Sequence, residues 1–179
     1  MVRVFIAVEP SAEIRRCIAE AGAALIGAGR LSLVSADLMH ITLKFLGEVP
    51  ESSLAKIQTA LSGIGSVQPG YTLTASKVST FGRPVRVIKA EVHDGGASAN
   101  LAAEIDRRLS LLGFSRDDKP FSPHITIARV KEASPLLGQK TAELKDCEFG
   151  SCEIHELLIK KSVLTSKGPI YSTIHRIVL

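Results

Sequence analysis

Two short stretches of the chain share one pattern, and this repetition is the strongest constraint on how the chain can fold. Residues 40–47 read His-Ile-Thr-Leu-Lys-Phe-Leu-Gly, and residues 124–130 read His-Ile-Thr-Ile-Ala-Arg-Val, 84 positions further along a chain of 179 residues. In an extended strand, alternate side chains share a face. Each stretch is therefore predicted to be a strand that buries aliphatic side chains on one face and presents a histidine beside a threonine on the other.

Strand and helix patterns alternate around these two stretches. Alternating β-branched and aromatic residues predict a strand at residues 2–8, and apolar residues at helical spacing predict helices beginning at Ser11, near Leu54 and near Ala97. In the third helix, the side chains expected to face inward are Leu101, Ile105, Leu109 and Leu112. Further strands are predicted at residues 31–34, 71–75, 85–92, 153–164 and 171–179, and a loop with a short helix at 131–145. The order predicts an α+β fold with one histidine motif in each half.

Composition narrows the classes of protein to which this chain can belong. Hydrophobic residues make up 45% and charged residues 22%, which is typical of a globular protein and argues against disorder. No apolar run approaches the ~20 residues of a membrane helix, and the apolar part of residues 1–9 is too short for a signal peptide. We therefore expect a cytoplasmic monomer with no membrane association, in which residues 1–179 form a single domain.

The charge balance bears on the ligand. The formal net charge is +4 and the sequence pI is about 9.1, which is compatible with a phosphate-bearing ligand. Aromatic residues are only 4% and tryptophan is absent, so an extended stacking platform for single-stranded nucleic acid is not expected. Any contact with nucleic acid should be local, with one end or one nucleotide.

Cysteine and histidine spacing raises the question of a zinc site. Cys147, Cys152 and His155 lie close together, but a structural zinc site usually has four ligands and no fourth is evident. Neither histidine motif contains a carboxylate, and the chain has no Gly-x-x-x-x-Gly-Lys loop for a nucleoside triphosphate. We expect no metal and no cofactor.

The paired motifs suggest acid–base chemistry. Imidazole has an unperturbed pKa of ~6.5, so at neutral pH one histidine can accept a proton while another donates one. Displacement at phosphorus needs this division of roles, since one group activates the attacking oxygen and the other protonates the leaving oxygen. Threonine hydroxyls can donate hydrogen bonds to the non-bridging phosphoryl oxygens as their charge grows. One His-x-Thr would mean little, but two copies on predicted strands favour catalysis.

Residues 40–47 and 120–129 together resemble the two signatures of the two-histidine (2H) phosphoesterases, and most closely those of the RNA 2′,3′-cyclic phosphodiesterases, historically called 2′-5′ RNA ligases. Residues 4–8 and the Gly-Pro-Ile-Tyr at 168–171 are similar to the family's opening strand and closing Gly-x-x-Tyr segment. The resemblance implies a bilobal, duplicated α+β fold with pseudo-twofold symmetry. Two antiparallel sheets would face a central cleft, with the helices outside.

The resemblance also implies an activity and its residues. The expected reaction is metal-independent hydrolysis of the 2′,3′-cyclic phosphate at RNA 3′ ends, tRNA fragments among them, to a 2′-phosphate. His40 would be the general acid towards the 3′ oxygen and His124 the general base for water, with Thr42 and Thr126 binding the phosphate. The two motifs are nearly identical, so the sequence itself leaves the assignment of acid and base open.

Arg129 matches the arginine that ends the family's second motif. Strict alternation places it on the face opposite His124, so contact with phosphate or RNA requires a bend or bulge after Ala128; otherwise Arg129 is a structural ion-pair partner.

Aromatic and basic residues near the motifs are further candidates for substrate binding. Phe5, Phe45 and Phe121 could stack on a base. Phe45 shares the parity of Ile41 and is expected in the core, whereas Phe5 is assigned to substrate binding and Phe121 stays a candidate. Lys44 shares the parity of His40 and is expected to raise the positive potential of the cleft. Four other basic residues either line the cleft or are ordinary solvated charges: Arg83, Arg86, Lys119 and Lys167.

Three other functions fit the same motifs. RNA ligation through a 2′-5′ linkage on tRNA-like ends would use the same histidines, with a 5′-hydroxyl in place of water. A different cyclic phosphate, such as that of an ADP-ribose derivative, would be selected by residues outside the motifs. A non-catalytic module that binds RNA ends would keep the cleft without turnover, although such a module has no need for paired proton carriers.

Overall fold

The structure is a computed structural model that describes residues 1–166 and 168–179. Within these residues there are nine strands and four α-helices. The strands are β1 (Val2–Val8), β2 (Gly29–Leu33), β3 (Ile41–Val49), β4 (Tyr71–Phe81), β5 (Val87–His93), β6 (His124–Ala133), β7 (Glu148–Ile154), β8 (Glu156–Thr165) and β9 (Gly168–Val178). The helices are α1 (Ala12–Ala23), α2 (Leu54–Leu61), α3 (Ala97–Ser110) and α4 (Leu137–Glu143).

The strands form two antiparallel sheets, and each sheet contains one histidine motif. The first sheet has the order β3-β1-β8-β9, and the second has the order β2-β6-β5-β4-β7. If β2 is set aside, both sheets place a motif strand first and three further strands beside it. The predicted α+β class and the duplicated, pseudo-twofold arrangement are confirmed.

Helices pack on the sheets through the apolar faces that the sequence predicts. Ser11 caps α1, since its side-chain oxygen accepts a hydrogen bond from the backbone N–H of Ile14 at 3.3 Å. Ile14 and Ile18 are buried on the inner side of α1, which packs against β6 and β7, whereas α3 packs against β3. Burial of each such side chain stabilises the fold by about 2 kcal/mol. Among the described residues, no helix is long and apolar enough to span a bilayer.

The boundaries of several elements differ from the prediction. Strand β4 continues to Phe81, well beyond residue 75, and the strand expected at 153–164 is divided between β7 and β8 at His155. Leu112 was predicted to face inward but is 41% exposed. Helix α3 ends at Ser110, and the positive φ of Gly113 turns the chain away, so helical periodicity no longer sets the direction of Leu112.

The first motif strand contains a β-bulge. Ala7 on β1 lies opposite Thr42, but Ile6 lies opposite Lys44, so Leu43 is an additional residue on β3. A bulge interrupts strict alternation. Each residue after it points to the face opposite to the one that alternation predicts.

The second motif strand contains the same irregularity at the same position. Lys89 on β5 lies opposite Thr126, but Ile88 lies opposite Ala128, so Ile127 is the additional residue on β6. In both motifs the extra residue directly follows the threonine. The duplication therefore extends from sequence to backbone geometry.

Candidate active site

Both motif histidines are held in the same way by the backbone just before them. The Nδ1 atom of His40 lies 2.7 Å from the carbonyl oxygen of Leu38, and the Nδ1 atom of His124 lies 2.8 Å from that of Ser122. A carbonyl oxygen only accepts hydrogen bonds, so each Nδ1 carries a proton and donates it. Each Nε2 atom is thereby left as the nitrogen that can accept or donate a proton to a ligand.

The two His-x-Thr motifs line one cavity between the sheets. Its volume is about 160 Å³, and its walls include His40 and Thr42 from the first sheet and His124 and Thr126 from the second. The sequence predicted that these four side chains would meet, and the structure brings them together. Their roles in catalysis and phosphate binding stay predictions.

The bulge in β6 decides the position of Arg129. Alternation from His124 places Arg129 on the far face, but the extra residue Ile127 returns it to the face of Thr126. Arg129 is exposed and lines the cavity. The bulge that its predicted contact with substrate requires is therefore present.

The bulge in β3 has the same effect on Phe45. Phe45 was expected in the core, and this prediction is wrong: the ring is 64% exposed and lines the cavity. Phe45 follows His40 by five residues, as Arg129 follows His124. One wall of the cavity thus carries an aromatic ring at the position where the other carries a guanidinium group.

Lys44 was expected on the cavity side, and this prediction is also wrong. The bulge turns Lys44 to the other face of β3, where it is 3% exposed. Its ammonium group pairs with the carboxylate of Asp106 on α3, lies 3.3 Å from the carboxylate of Asp117 and donates to the carbonyl oxygen of Ser115 at 2.9 Å. Lys44 therefore connects the first motif strand to a helix and to the loop that leads to His124.

Phe5 supports His40 and offers no surface to a base. The Phe5 ring is 2% exposed, and its centroid lies 4.9 Å from that of His40 and 5.0 Å from that of Tyr171. The predicted role of Phe5 in stacking on substrate is wrong, because β8 and β3 flank β1 and neighbouring rings cover the side chain. Tyr171 packs edge-on against His40, with 5.3 Å between the ring centroids, and lines the cavity.

Burial and nearby charges set the protonation of His40. Desolvation by burial lowers the pKa of the His40 imidazole below its ordinary 6.5, although the hydrogen bond to Leu38 opposes the shift. A buried ion pair adds opposing effects, since the ammonium of Lys160 lowers this pKa and the carboxylate of Glu9 raises it.

The remaining candidates lie outside the cavity wall. Phe121 is half-buried against the core, and Arg83, Arg86 and Lys119 are exposed but do not line the cavity. Lys167 lies outside the described residues. Cys152 accepts a hydrogen bond from the backbone N–H of Ser11, with 3.4 Å between the nitrogen and Sγ. In residues 1–166 and 168–179, no three or more histidine, cysteine, aspartate or glutamate side chains are grouped to hold a metal ion.

Sequence reasoning missed two parts of the site. Tyr171 belongs to the Gly-x-x-Tyr segment that the sequence singled out, so a signal for it was available. The Glu9–Lys160 pair joins residues 151 positions apart, and no local pattern marks either member. Only the pairing of β1 with β8 brings them together.

Two sheets that each contribute one tautomer-fixed histidine and one threonine to a shared cavity define the class of two-histidine phosphoesterases. The comparison with known families agrees. The family model described as "LigT like Phosphoesterase" matches residues 6–88 and 94–171. The chain belongs to the LigT-like phosphoesterase family.

Relatives and solved structures match over nearly the whole chain. The "RNA 2′,3′-cyclic phosphodiesterase" of Archaeoglobus fulgidus is 36% identical over 172 residues, covering 95% of this chain and 96% of that protein. The protein of the same name from Thermotoga maritima is 34% identical, with 97% and 94% covered. The crystal structure of E. coli LigT complexed with 3′-AMP superposes with a TM-score of 0.79 at 27% identity, covering 99% of this chain and 97% of that one.

Proposed function

We propose that this protein hydrolyses the 2′,3′-cyclic phosphate at RNA 3′ ends to a 2′-phosphate by two-histidine acid–base catalysis without a metal. The observation that carries the proposal is the matched anchoring of His40 and His124 on one cavity, with Nε2 of neither ring bonded to a residue that the structure describes. The names of the relatives, RNA 2′,3′-cyclic phosphodiesterases, support the choice of substrate.

The proposed reaction divides the two protons between the two strands. Nε2 of His124 takes a proton from water as its oxygen attacks phosphorus, and Nε2 of His40 gives a proton to the departing 3′ oxygen, which leaves a 2′-phosphate. Burial lowers the pKa of His40 and so makes its protonated form a stronger acid. The anionic phosphate group works against this shift by favouring the charged imidazolium.

Four further side chains would bind the substrate. The hydroxyls of Thr42 and Thr126 donate to the non-bridging oxygens, on which charge develops in the transition state. The guanidinium of Arg129 supplies planar, paired donors for the phosphate. The exposed ring of Phe45, which replaces Phe5 in this role, offers a stacking surface to the terminal base.

The experiment that tests this function uses an oligonucleotide ending in a 2′,3′-cyclic phosphate, incubated with the protein in excess chelator. We expect phosphorus NMR to detect a 2′-phosphate. A 3′-phosphate product would still indicate a cyclic phosphodiesterase, but one in which the 2′ oxygen and not the 3′ oxygen departs. Absence of turnover between about pH 5 and 8, where an imidazole pair is active, would overturn the proposal and favour a binding module.

Ligation would use the same pair of histidines in the same roles, with a different attacking group. A 5′-hydroxyl RNA fragment added to the same incubation would attack in place of water and give a 2′-5′ linkage. Since neither histidine is tied to a water-specific partner in the described structure, we expect some joining at high concentrations of the fragment, with hydrolysis dominant in water.

We further propose that the natural substrates include tRNA fragments and that the protein acts as a cytoplasmic monomer whose residues 1–179 form one domain of two lobes. The mildly basic charge of +4 fits an anionic partner. Sedimentation of the purified protein would test the monomer, and a mass near twice 19.1 kDa would contradict it.

A further inference from the structure

We propose that the face of the second sheet beside Arg129 binds the nucleotide that precedes the cyclic phosphate terminus. This face, formed by Phe81, Val87 and Lys89, is called the β4–β5 face. The inference rests on the proposed function and deepens it, because it makes the preferred substrate an RNA of at least two nucleotides rather than a cyclic mononucleotide.

The strand register places an apolar row on this face. Val87 on β5 lies opposite Arg129, and Phe81 on β4 lies opposite Val87. Residues directly opposite each other in an antiparallel sheet share a face. Arg129 lines the cavity, so Val87 and Phe81 continue the cavity wall outward along the second sheet. Two strand spacings, about 10 Å, separate the backbone at Arg129 from that at Phe81.

A second row supplies a cation. Lys89 lies opposite Thr126, which lines the cavity, and therefore faces the same way. Lys89 is half-buried, and its ammonium forms no ion pair with a described residue. A cation one strand away from the phosphate-binding threonine is placed to contact the next phosphodiester group.

The chemistry of the β4–β5 face matches one nucleotide. The Phe81 ring is 67% exposed, which is unusual for a phenylalanine in a strand and suits stacking on a base. Arg83 and Arg86 are exposed in the turn that follows Phe81 and add positive charge. Neither row contains a carboxylate, and the nearest one on this face is that of Glu91, which lies opposite His124. The face is therefore complementary to an anion with an attached aromatic base.

The cavity is small, so most of an RNA has to lie outside it. Its volume of about 160 Å³ is below the ~300 Å³ at which pockets for small organic ligands begin, so it accommodates the reacting end rather than a longer chain. On the first sheet, Phe45 and Tyr171 together with Pro169 form an apolar wall suited to the terminal base. The 5′-ward phosphate then passes over Arg129 and Lys89, and the preceding base reaches Phe81.

The test compares kcat/KM for a nucleoside 2′,3′-cyclic phosphate with that for a dinucleotide ending in the same group. We expect the dinucleotide to be favoured about tenfold or more, the size of one base–aromatic stack with a phosphate contact. In Phe81→Ala and Lys89→Gln, this ratio should fall at least about fivefold. Two control variants alter exposed residues away from the cavity: Leu111→Ala directly after α3 and Lys56→Gln on α2. Both should keep the ratio of the unsubstituted protein.

The outcomes separate this inference from the function on which it rests. If neither substrate is hydrolysed, the proposed function itself is overturned. Hydrolysis of both substrates at equal kcat/KM would overturn the inference while the function stands. A parallel loss on both substrates in Phe81→Ala and Lys89→Gln, with the ratio unchanged, would give these residues a structural role and would also overturn it.

Discussion

The Nδ1 atom of each motif histidine bonds a carbonyl of the backbone two residues before it and, among the described residues, no carboxylate. Removing one imidazole therefore deletes a proton carrier without leaving a buried acidic or basic partner behind. The effect of such a substitution should fall on chemistry more than on folding.

We expect His40→Ala and His124→Ala each to lower kcat by about 100-fold or more, the usual contribution of a positioned general acid or base. Binding of the cyclic-phosphate RNA, measured by titration with the inactive variants, should persist because Thr42, Thr126 and Arg129 are intact. His175→Ala is the control, since His175 is exposed on β9. Loss of binding equal to the loss of turnover would favour a structural role for the two histidines.

The Glu9–Lys160 pair predicts opposite shifts in the pKa of His40. Lys160→Met removes a positive charge that lowers this pKa, so the imidazole should titrate at higher pH than in the unsubstituted protein. Glu9→Gln removes a negative charge that raises it, so the imidazole should titrate at lower pH. NMR titration of the His40 ring measures both shifts. Two shifts of the same sign would contradict the arrangement.

The sequence predicted correctly that His40, His124 and both threonines meet at one cavity, because alternation holds from each histidine to its threonine. It failed at Lys44 and Phe45 because the bulge begins at the next residue. The extra residue is aliphatic like its neighbours, and no composition signal marks it.

At the scale of elements, one buried lysine joins three parts of the fold. Lys44 lies on β3, Asp106 on α3, and Ser115 and Asp117 on the loop before His124. Asp106 also accepts a hydrogen bond from the backbone N–H of Asp117 at 3.0 Å. The pairing makes the approach to the second motif depend on a residue of the first.

Lys44→Met should destabilise the protein by about 3 kcal/mol, because it leaves the largely buried carboxylate of Asp106 without its cation. Urea unfolding at neutral pH measures this change. Arg30→Met is the matched control: Arg30 and Glu132 lie 3.7 Å apart with both side chains more than 70% exposed, so we expect a loss below about 1 kcal/mol. Equal losses of unfolding free energy in the two variants would show that the buried Lys44–Asp106 pair stabilises the fold no more than an exposed pair does.

Helix α3 contains a second acidic group tuned by its neighbours. Hydrogen bonds from Arg107 and Arg108 hold the pKa of Glu104 at about 2, below its ordinary 4.5. A depressed pKa of this kind contributes stability above pH 4.5 that is lost as the pH falls towards 2.

As the pH is lowered from 5 to 4 and 3, the free energy of unfolding of Glu104→Gln, measured with urea, should therefore fall less than that of the unsubstituted protein. This range runs from above the ordinary pKa of 4.5 towards the folded-state pKa of about 2. Glu143→Gln is a control on α4, where Glu143 is exposed and, among the residues that the structure describes, accepts a side-chain hydrogen bond from Gln139 alone. An unchanged acid dependence in Glu104→Gln would contradict the assigned cause.

The helices and most strands were predictable because one face of each is apolar at the proper period. Strand ends were less predictable where hydrogen-bonded pairing between strands continues beyond the alternating sequence pattern. Strand β4 continues through Lys77, which has a positive φ and lies at a register shift, because it pairs with β5 on one side and β7 on the other. Beyond Ser76 the paired partner is β5, the next strand along the chain, so cross-strand pairing and not local preference extends that strand.

At the scale of the whole molecule, one continuous core joins the two sheets. Buried residues from both belong to a single cluster, among them Ile6 and Ile159 of the first sheet and Ile88 and Ile125 of the second. The repeated motif predicted two halves, but it could not show that they share a core, since that depends on packing between residues far apart in the chain.

The shared core predicts one cooperative unfolding transition. The chain has two tyrosines and no tryptophan, with Tyr71 on β4 of the second sheet and Tyr171 on β9 of the first. Tyrosine fluorescence of Tyr171→Phe therefore reports on the second sheet, and that of Tyr71→Phe on the first. In each variant, the urea midpoint from fluorescence should equal that from far-ultraviolet circular dichroism. Separate midpoints would indicate lobes that unfold independently.

The matched bulges also change how related chains can be compared. A motif written as His-x-Thr-x directs attention to even steps from the histidine, yet here the fifth residue after each histidine, Phe45 in one half and Arg129 in the other, returns to the ligand side. In any chain that keeps both bulges, this pair of positions is where the two otherwise equivalent halves can acquire different chemistry. A cyclic phosphate with its base attached has two unlike ends, and such a pair lets a duplicated protein tell them apart.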